Sequence, residues 1–137
     1  MLFAVLAGAC ARTEAEPLPN VRLGMSPRDV RDRFAAGEQG SWQTNLGAGS
    51  DDTSLDWSSS TARVDHARFE FHLGMLVAIR AHLREPSSAE RIDATSKTVT
   101  LRRPSQAGEA GTDVTVLARD CPTHHDEAES LARRAGR

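Results

Sequence analysis

The densest chemistry in this sequence is the run Asp120-Cys121-Pro122-Thr123-His124-His125. Cys121 and His124 stand in a C-x-x-H spacing that suits zinc, and a thiol just ahead of a helix N-terminus can become a nucleophile. A zinc site needs further ligands, and no C-x-x-C or H-x-x-x-H pair supplies them. His66, His72 and His82 are scattered alternatives that nothing in the sequence brings together. A redox thiol would need the second cysteine of a C-x-x-C pair. The plainer reading of Cys121 is a small buried hydrophobe at a helix start.

The remaining candidates are weaker. Asp51, Asp52 and Asp56 do not have the spacing of an EF-hand loop and read as a solvated acidic turn. Gly47-Ala48-Gly49-Ser50 lacks the flanking residues of a phosphate loop or a nucleophile elbow. No Ser-His-Asp arrangement follows from spacing. The reading therefore assigns no catalytic, cofactor-binding or metal residue and expects a protein that is not an enzyme. Its alternative is a periplasmic metal-binding or thiol protein using Cys121 and His124.

Cys10 has a different chemistry. It follows MLFAVLAGA, an apolar run ending in small residues. At ~1.5 Å per residue, a helix of that length cannot cross a ~30 Å bilayer core, whereas a cleaved secretory signal has this form. The segment Leu6-Ala7-Gly8-Ala9-Cys10 resembles the bacterial lipobox, which implies lipidation of Cys10 after export. Ala11 in the following position, rather than Asp, is similar to lipoproteins destined for the outer membrane. On this reading residues 1–9 are a signal peptide, 10–20 a flexible tether holding two prolines, and 21–137 one domain. A plain signal peptide remains the alternative. It would leave a soluble periplasmic or secreted protein and allow a Cys10–Cys121 disulfide.

Several elements must position these residues. Ser26 is a suitable N-cap, Pro27 suits the first helical position, and Asp29 approximates the reciprocal partner of a capping box. Met25 and Val30 are placed as a hydrophobic staple, Val30 and Phe34 share a face, and Gly37 reads as the closing C′ residue. Residues 37–52 read mostly as loop, with Trp42 folding back, and Leu55 and Trp57 mark a short strand. Ala67, Phe69 and Phe71 alternate with Arg68, Glu70 and His72. Met75, Val77, Ile79, Ala81 and Leu83 form a second series. A three-residue loop, His72-Leu73-Gly74, pairs Phe71 with Met75 and Phe69 with Val77, which puts both series on one face. Beyond Pro86 the chain is polar until Lys97. Val99 and Leu101 mark a strand, and residues 104–112 a loop. Another strand follows at 114–118, and then a helix capped by Thr123 with a thin stripe of Ala128, Leu131, Ala132 and Ala135. The expected fold class is α+β: a capped N-terminal helix packed on an antiparallel sheet with a central hairpin, plus a C-terminal helix.

The chain of 137 residues fits one domain, and its net charge of -2 comes from acids and bases mixed along it. No basic stripe with interleaved aromatics appears, so nucleic acid is excluded as the expected partner. Val21-Arg22-Leu23-Gly24-Met25-Ser26-Pro27-Arg28-Asp29-Val30, with Phe69, Phe71, Gly74 and Val77 after it, resembles the SmpA/OmlA (BamE-type) lipoprotein domain over about residues 21–83. That resemblance implies a small α/β domain that supports assembly at the outer membrane through contacts with envelope proteins. The expectation is a lipid-anchored, periplasm-facing protein that binds other proteins and carries no cofactor.

Overall fold

A computed structural model describes residues 18, 20–46, 51–106 and 110–136. Cys10, the apolar leader and Gly47-Ala48-Gly49-Ser50 lie outside the described residues. The α+β expectation holds, because among the described residues seven antiparallel strands form one sheet and two helices accompany it. The strands are β1 (Ser41–Leu46), β2 (Asp52–Ser58), β3 (Val64–His72), β4 (Met75–Leu83), β5 (Arg91–Ala94), β6 (Thr98–Pro104) and β7 (Thr112–Ala118). The helices are α1 (Pro27–Arg33) and α2 (His125–Ala135). The order across the sheet is β1-β2-β3-β4-β7-β6-β5. Successive hairpins thus build β1 to β4, the chain crosses to the far edge, and β5 to β7 return to pair with β4.

Ser26 Oγ accepts from the Asp29 N–H at 3.1 Å, and Pro27 occupies the first turn, where its missing N–H costs nothing. The helix is shorter than expected. It ends at Arg33, Phe34 turns to extended backbone, and the left-handed residue that follows is Ala35 (φ 54). Gly37 (φ 85) therefore belongs to the next turn, where Glu38 N–H donates to Ala35 O, and is not the C′ residue.

The hairpin departs from the expected register. The turn is the two-residue Leu73-Gly74, both at positive φ, with His72 opposite Met75 and Phe71 opposite Leu76. Val77 is then an extra residue in β4, so that Glu70 faces Ala78 and Phe69 faces Ile79. Placing every apolar residue on one face fails because the sheet has two apolar faces. Phe69, Phe71, Leu76, Ile79 and Leu83 pack with Val30 of α1 and with Phe34 just after it. Ala78 points the other way, onto Val99, Leu101, Leu117 and the Ala128 and Leu131 of α2. The bulge at Val77 moves β4 between these two demands.

Other segments also differ from expectation. Residues 41–46 form β1 rather than loop, and its Trp42 joins Phe34, Trp57 and Phe69 in an aromatic cluster. Asp52 and Asp56 belong to β2, not to an acidic turn. Arg91–Ala94 form a short edge strand within the stretch read as featureless. Leu18, read as tether, is buried in the α1-side core together with Val21. The final helix takes His124 rather than Thr123 as its N-cap, and no side chain caps it. Among the described residues, no helix is long and apolar enough to cross a membrane.

Candidate functional site

The β1–β4 half of the α2 side of the sheet carries charge instead of apolar packing. Side chains alternate along each strand, so Asp56, Arg68, Glu70 and Arg80 all project from this face. Arg68 donates two bonds to Asp56, at 2.8 and 2.9 Å, and Asn45 of β1 adds a third at 2.9 Å. The Arg68 guanidinium holds the Asp56 carboxyl below its ordinary pKa against the opposing effect of burial, and Asp56 raises that of Arg68 in return. Arg80 donates to Glu70 at 3.3 Å and, through both terminal nitrogens, to Glu127 of α2 at 3.1 and 2.9 Å. The hydrogen bond from Arg80 is the main cause of the lowered Glu127 pKa.

Cys121 and His124 meet this network where β7 turns into α2. The His124 N–H donates to Cys121 O at 3.1 Å, which closes a turn and brings His124 Nδ1 to 3.5 Å from Cys121 Sγ. The other ring nitrogen, Nε2, lies 3.0 Å from Glu70 Oε1 on β3. A carboxylate only accepts, so Nε2 carries a proton and Nδ1 is left to face the thiol. The result is a thiol–imidazole–carboxylate chain, the order of groups that activates nucleophiles. Cys121 is only 4% exposed, however, and it does not line the neighbouring groove, which His124, Glu70 and Thr123 do line.

Among the described residues, the C-x-x-H pair is thus brought together without a third ligand beside it, since Glu70 sits on the far side of the imidazole. Sequence spacing found Cys121 and His124, three residues apart, but had no signal for Glu70, 54 residues from His124. His72 lies at the β3–β4 turn, bonded to Asp52 at 2.8 Å. His66 and His82 do meet. They are cross-strand partners whose rings stack with centroids 5.2 Å apart, and Asp65 stands beside both.

Among the described residues, the large apolar side chains left exposed lie toward one end of the sheet. Leu46 (82%) ends β1, while Leu73 (65%) lies in the β3–β4 turn and Met75 (54%) follows it. Asp51, just before β2, lies beside the β3–β4 turn, because Leu73 N–H donates to Asp51 O at 2.8 Å. No protein-family model matches the chain, and neither a curated protein nor a solved structure matches it.

Proposed function

We propose that this chain is a non-enzymatic cell-envelope lipoprotein, anchored through Cys10 at the outer membrane, that binds another envelope protein through the apolar tip of its sheet. The observation that carries the binding part is the exposure of Leu46, Leu73 and Met75 at the same end of the sheet. Single exposed apolar residues are ordinary, but three at one end of a sheet, with the Asp52–His72 pair lying between Leu46 and Met75, offer a mixed surface that a partner protein can cover. An apolar recess on a partner protein is the surface that fits it. The Ser26-capped α1 packed beside the β3–β4 hairpin is the part that resembles the SmpA/OmlA-type domain, and a supporting role in outer-membrane assembly accords with it. The anchor reading rests on the lipobox-like run before Cys10.

Two experiments test these parts separately. Fatty-acid labelling in a bacterial host is expected on the wild-type chain and not on Cys10→Ala, and label on neither removes the anchor. A photo-crosslinking residue at position 73 or 75 is expected to give a discrete adduct in intact envelopes, whereas one at position 63 gives none. Equal adducts at all three positions remove the binding tip.

The 3.5 Å approach of Cys121 Sγ to His124 Nδ1 supports a second reading, a thiol protein acting through that pair. It requires that native protein react with iodoacetamide nearly as fast as unfolded protein, and that His124→Ala slow the reaction. Protection of the native thiol removes it.

A further inference from the structure

The strongest unassigned constellation lies where β3 and β4 diverge at their far end. His66 pairs with His82 and Val64 with Leu83, so Asp65 is an extra residue in β3. In a regular strand, neighbours point to opposite faces, and Asp65 and His66 could not share one partner. The bulge removes that constraint, because its two residues oppose a single one across the ladder. Asp65 Oδ1 consequently lies 2.8 Å from His82 Nδ1 and 3.7 Å from His66 Nε2.

We propose that Asp65, His66 and His82 form a binding site for a divalent transition-metal ion of the zinc type. Their three ligand atoms lie within 4.8 Å of one another. Tetrahedral bonds of about 2.0 Å would set such atoms roughly 3.3 Å apart, a separation the present spacing brackets. Two imidazoles and one carboxylate are borderline donors that suit this class of ion, and three protein ligands leave a coordination position open.

The surroundings supply what a ligating histidine needs. His82 is buried, and its second nitrogen, Nε2, lies 3.0 Å from the Ala110 carbonyl. Donation there leaves Nδ1 turned toward Asp65, where an ion takes the place of the Nδ1–Oδ1 contact. Gly111 allows that approach. Its φ is +122, and a Cβ there would come 2.7 Å from His82 Nε2 and 2.3 Å from Leu83 O. His66 is exposed, so its ring can turn out of the stack to complete the set. It also lines an open groove of about 570 Å³ whose walls include the Asp56 and Asp113 carboxylates, so the third ligand is reached from solvent.

Titration of the purified full chain with Zn2+ alone, followed by calorimetry, tests the site. One equivalent is expected to bind. His66→Ala and Asp65→Asn are expected to weaken it by roughly tenfold or more, with His72→Ala and Cys121→Ser matching the wild type. His66 is exposed, so an unchanged urea midpoint for His66→Ala separates lost ligation from lost folding. Substitution with Co2+ gives a second readout, expected to show visible bands of nitrogen and oxygen ligation without thiolate charge transfer. The proposal is overturned by absence of binding at micromolar concentration, by wild-type affinity in His66→Ala, or by loss of binding or a thiolate band traced to Cys121.

Discussion

One imidazole joins three parts of the chain, since His124 stands at the start of α2, touches the Cys121 thiol and reaches Glu70 on β3. Removing the ring leaves Glu70 short of a partner in a half-buried position. His124→Ala is therefore expected to cost about 1–3 kcal/mol of stability in urea denaturation. Adding Glu70→Gln should cost less than the sum of the two single changes, because both act on the same bond. Gly40 is sensitive for a steric reason. A Cβ there would lie 2.2 Å from the Trp57 ring and 2.8 Å from Ser58 O. Trp57 is buried, with its indole N–H donating to Val64 O at 3.2 Å, so it has little room to yield. Gly40→Ala is expected to cost about 1–3 kcal/mol by overpacking, with a shift in tryptophan emission as the accompanying sign.

At the scale of elements, the β3–β4 hairpin combines a favoured turn type with an unfavoured residue. Leu73 sits at φ 52 in a turn whose two central positions both want Gly, Asn or Asp. Leu73→Asn is expected to stabilise the fold by about 1 kcal/mol, read as a raised thermal midpoint. The same change should weaken crosslinking at the sheet tip, so a leucine retained against the turn's preference accords with a contact role. This hairpin also marks the limit of what residue patterns reveal. Ser26, Pro27 and Asp29 announced the start of α1 because capping is local chemistry, and the alternation of Val99 and Leu101 announced β6. The strand register was not legible, since Val77 and Asp65 are bulge residues and the pairing depends on which face each core claims. β1 and β5 are edge strands with few inward residues, and Trp42, Leu46 and Ile92 alone do not make a period. The candidate sites divide in the same way. Cys121 and His124 are neighbours in one turn, whereas Glu70 and the Asp65–His66–His82 group exist only once strands are paired.

Across the whole molecule, ion pairs link elements that the two cores also hold together. Asp56 joins β2 to β3, and Glu127 joins α2 to β4 through Arg80. Glu129 joins α2 to Arg119, at 2.8 Å, in the turn after β7. The Asp56, Glu127 and Glu129 carboxyls are held below their ordinary pKa, chiefly by hydrogen bonds from Arg68, Arg80 and Arg119 respectively. A carboxylate lowered in the folded state stabilises the fold above its unfolded pKa, and that contribution is lost as pH falls through the folded value. Stability should thus hold from neutral pH down to about 4.5 and decline below it, within the usual carboxylate range. Urea midpoints measured from pH 7 to pH 3 test this, and Asp56→Asn should flatten the acid limb.

The return of β7 to pair with β4 also bears on the order in which the chain assembles. Strands β1 to β4 are joined by successive hairpins, contacts that close over short loops and form early. The outer side of β4 is completed only by residues 112–118, beyond the β5–β6 hairpin. Until they arrive, an apolar central strand presents free N–H and C=O groups to any other strand in reach. During synthesis or export, that interval is when nascent copies of this protein are most prone to join one another, and a chaperone covering residues 75–83 would guard the vulnerable edge.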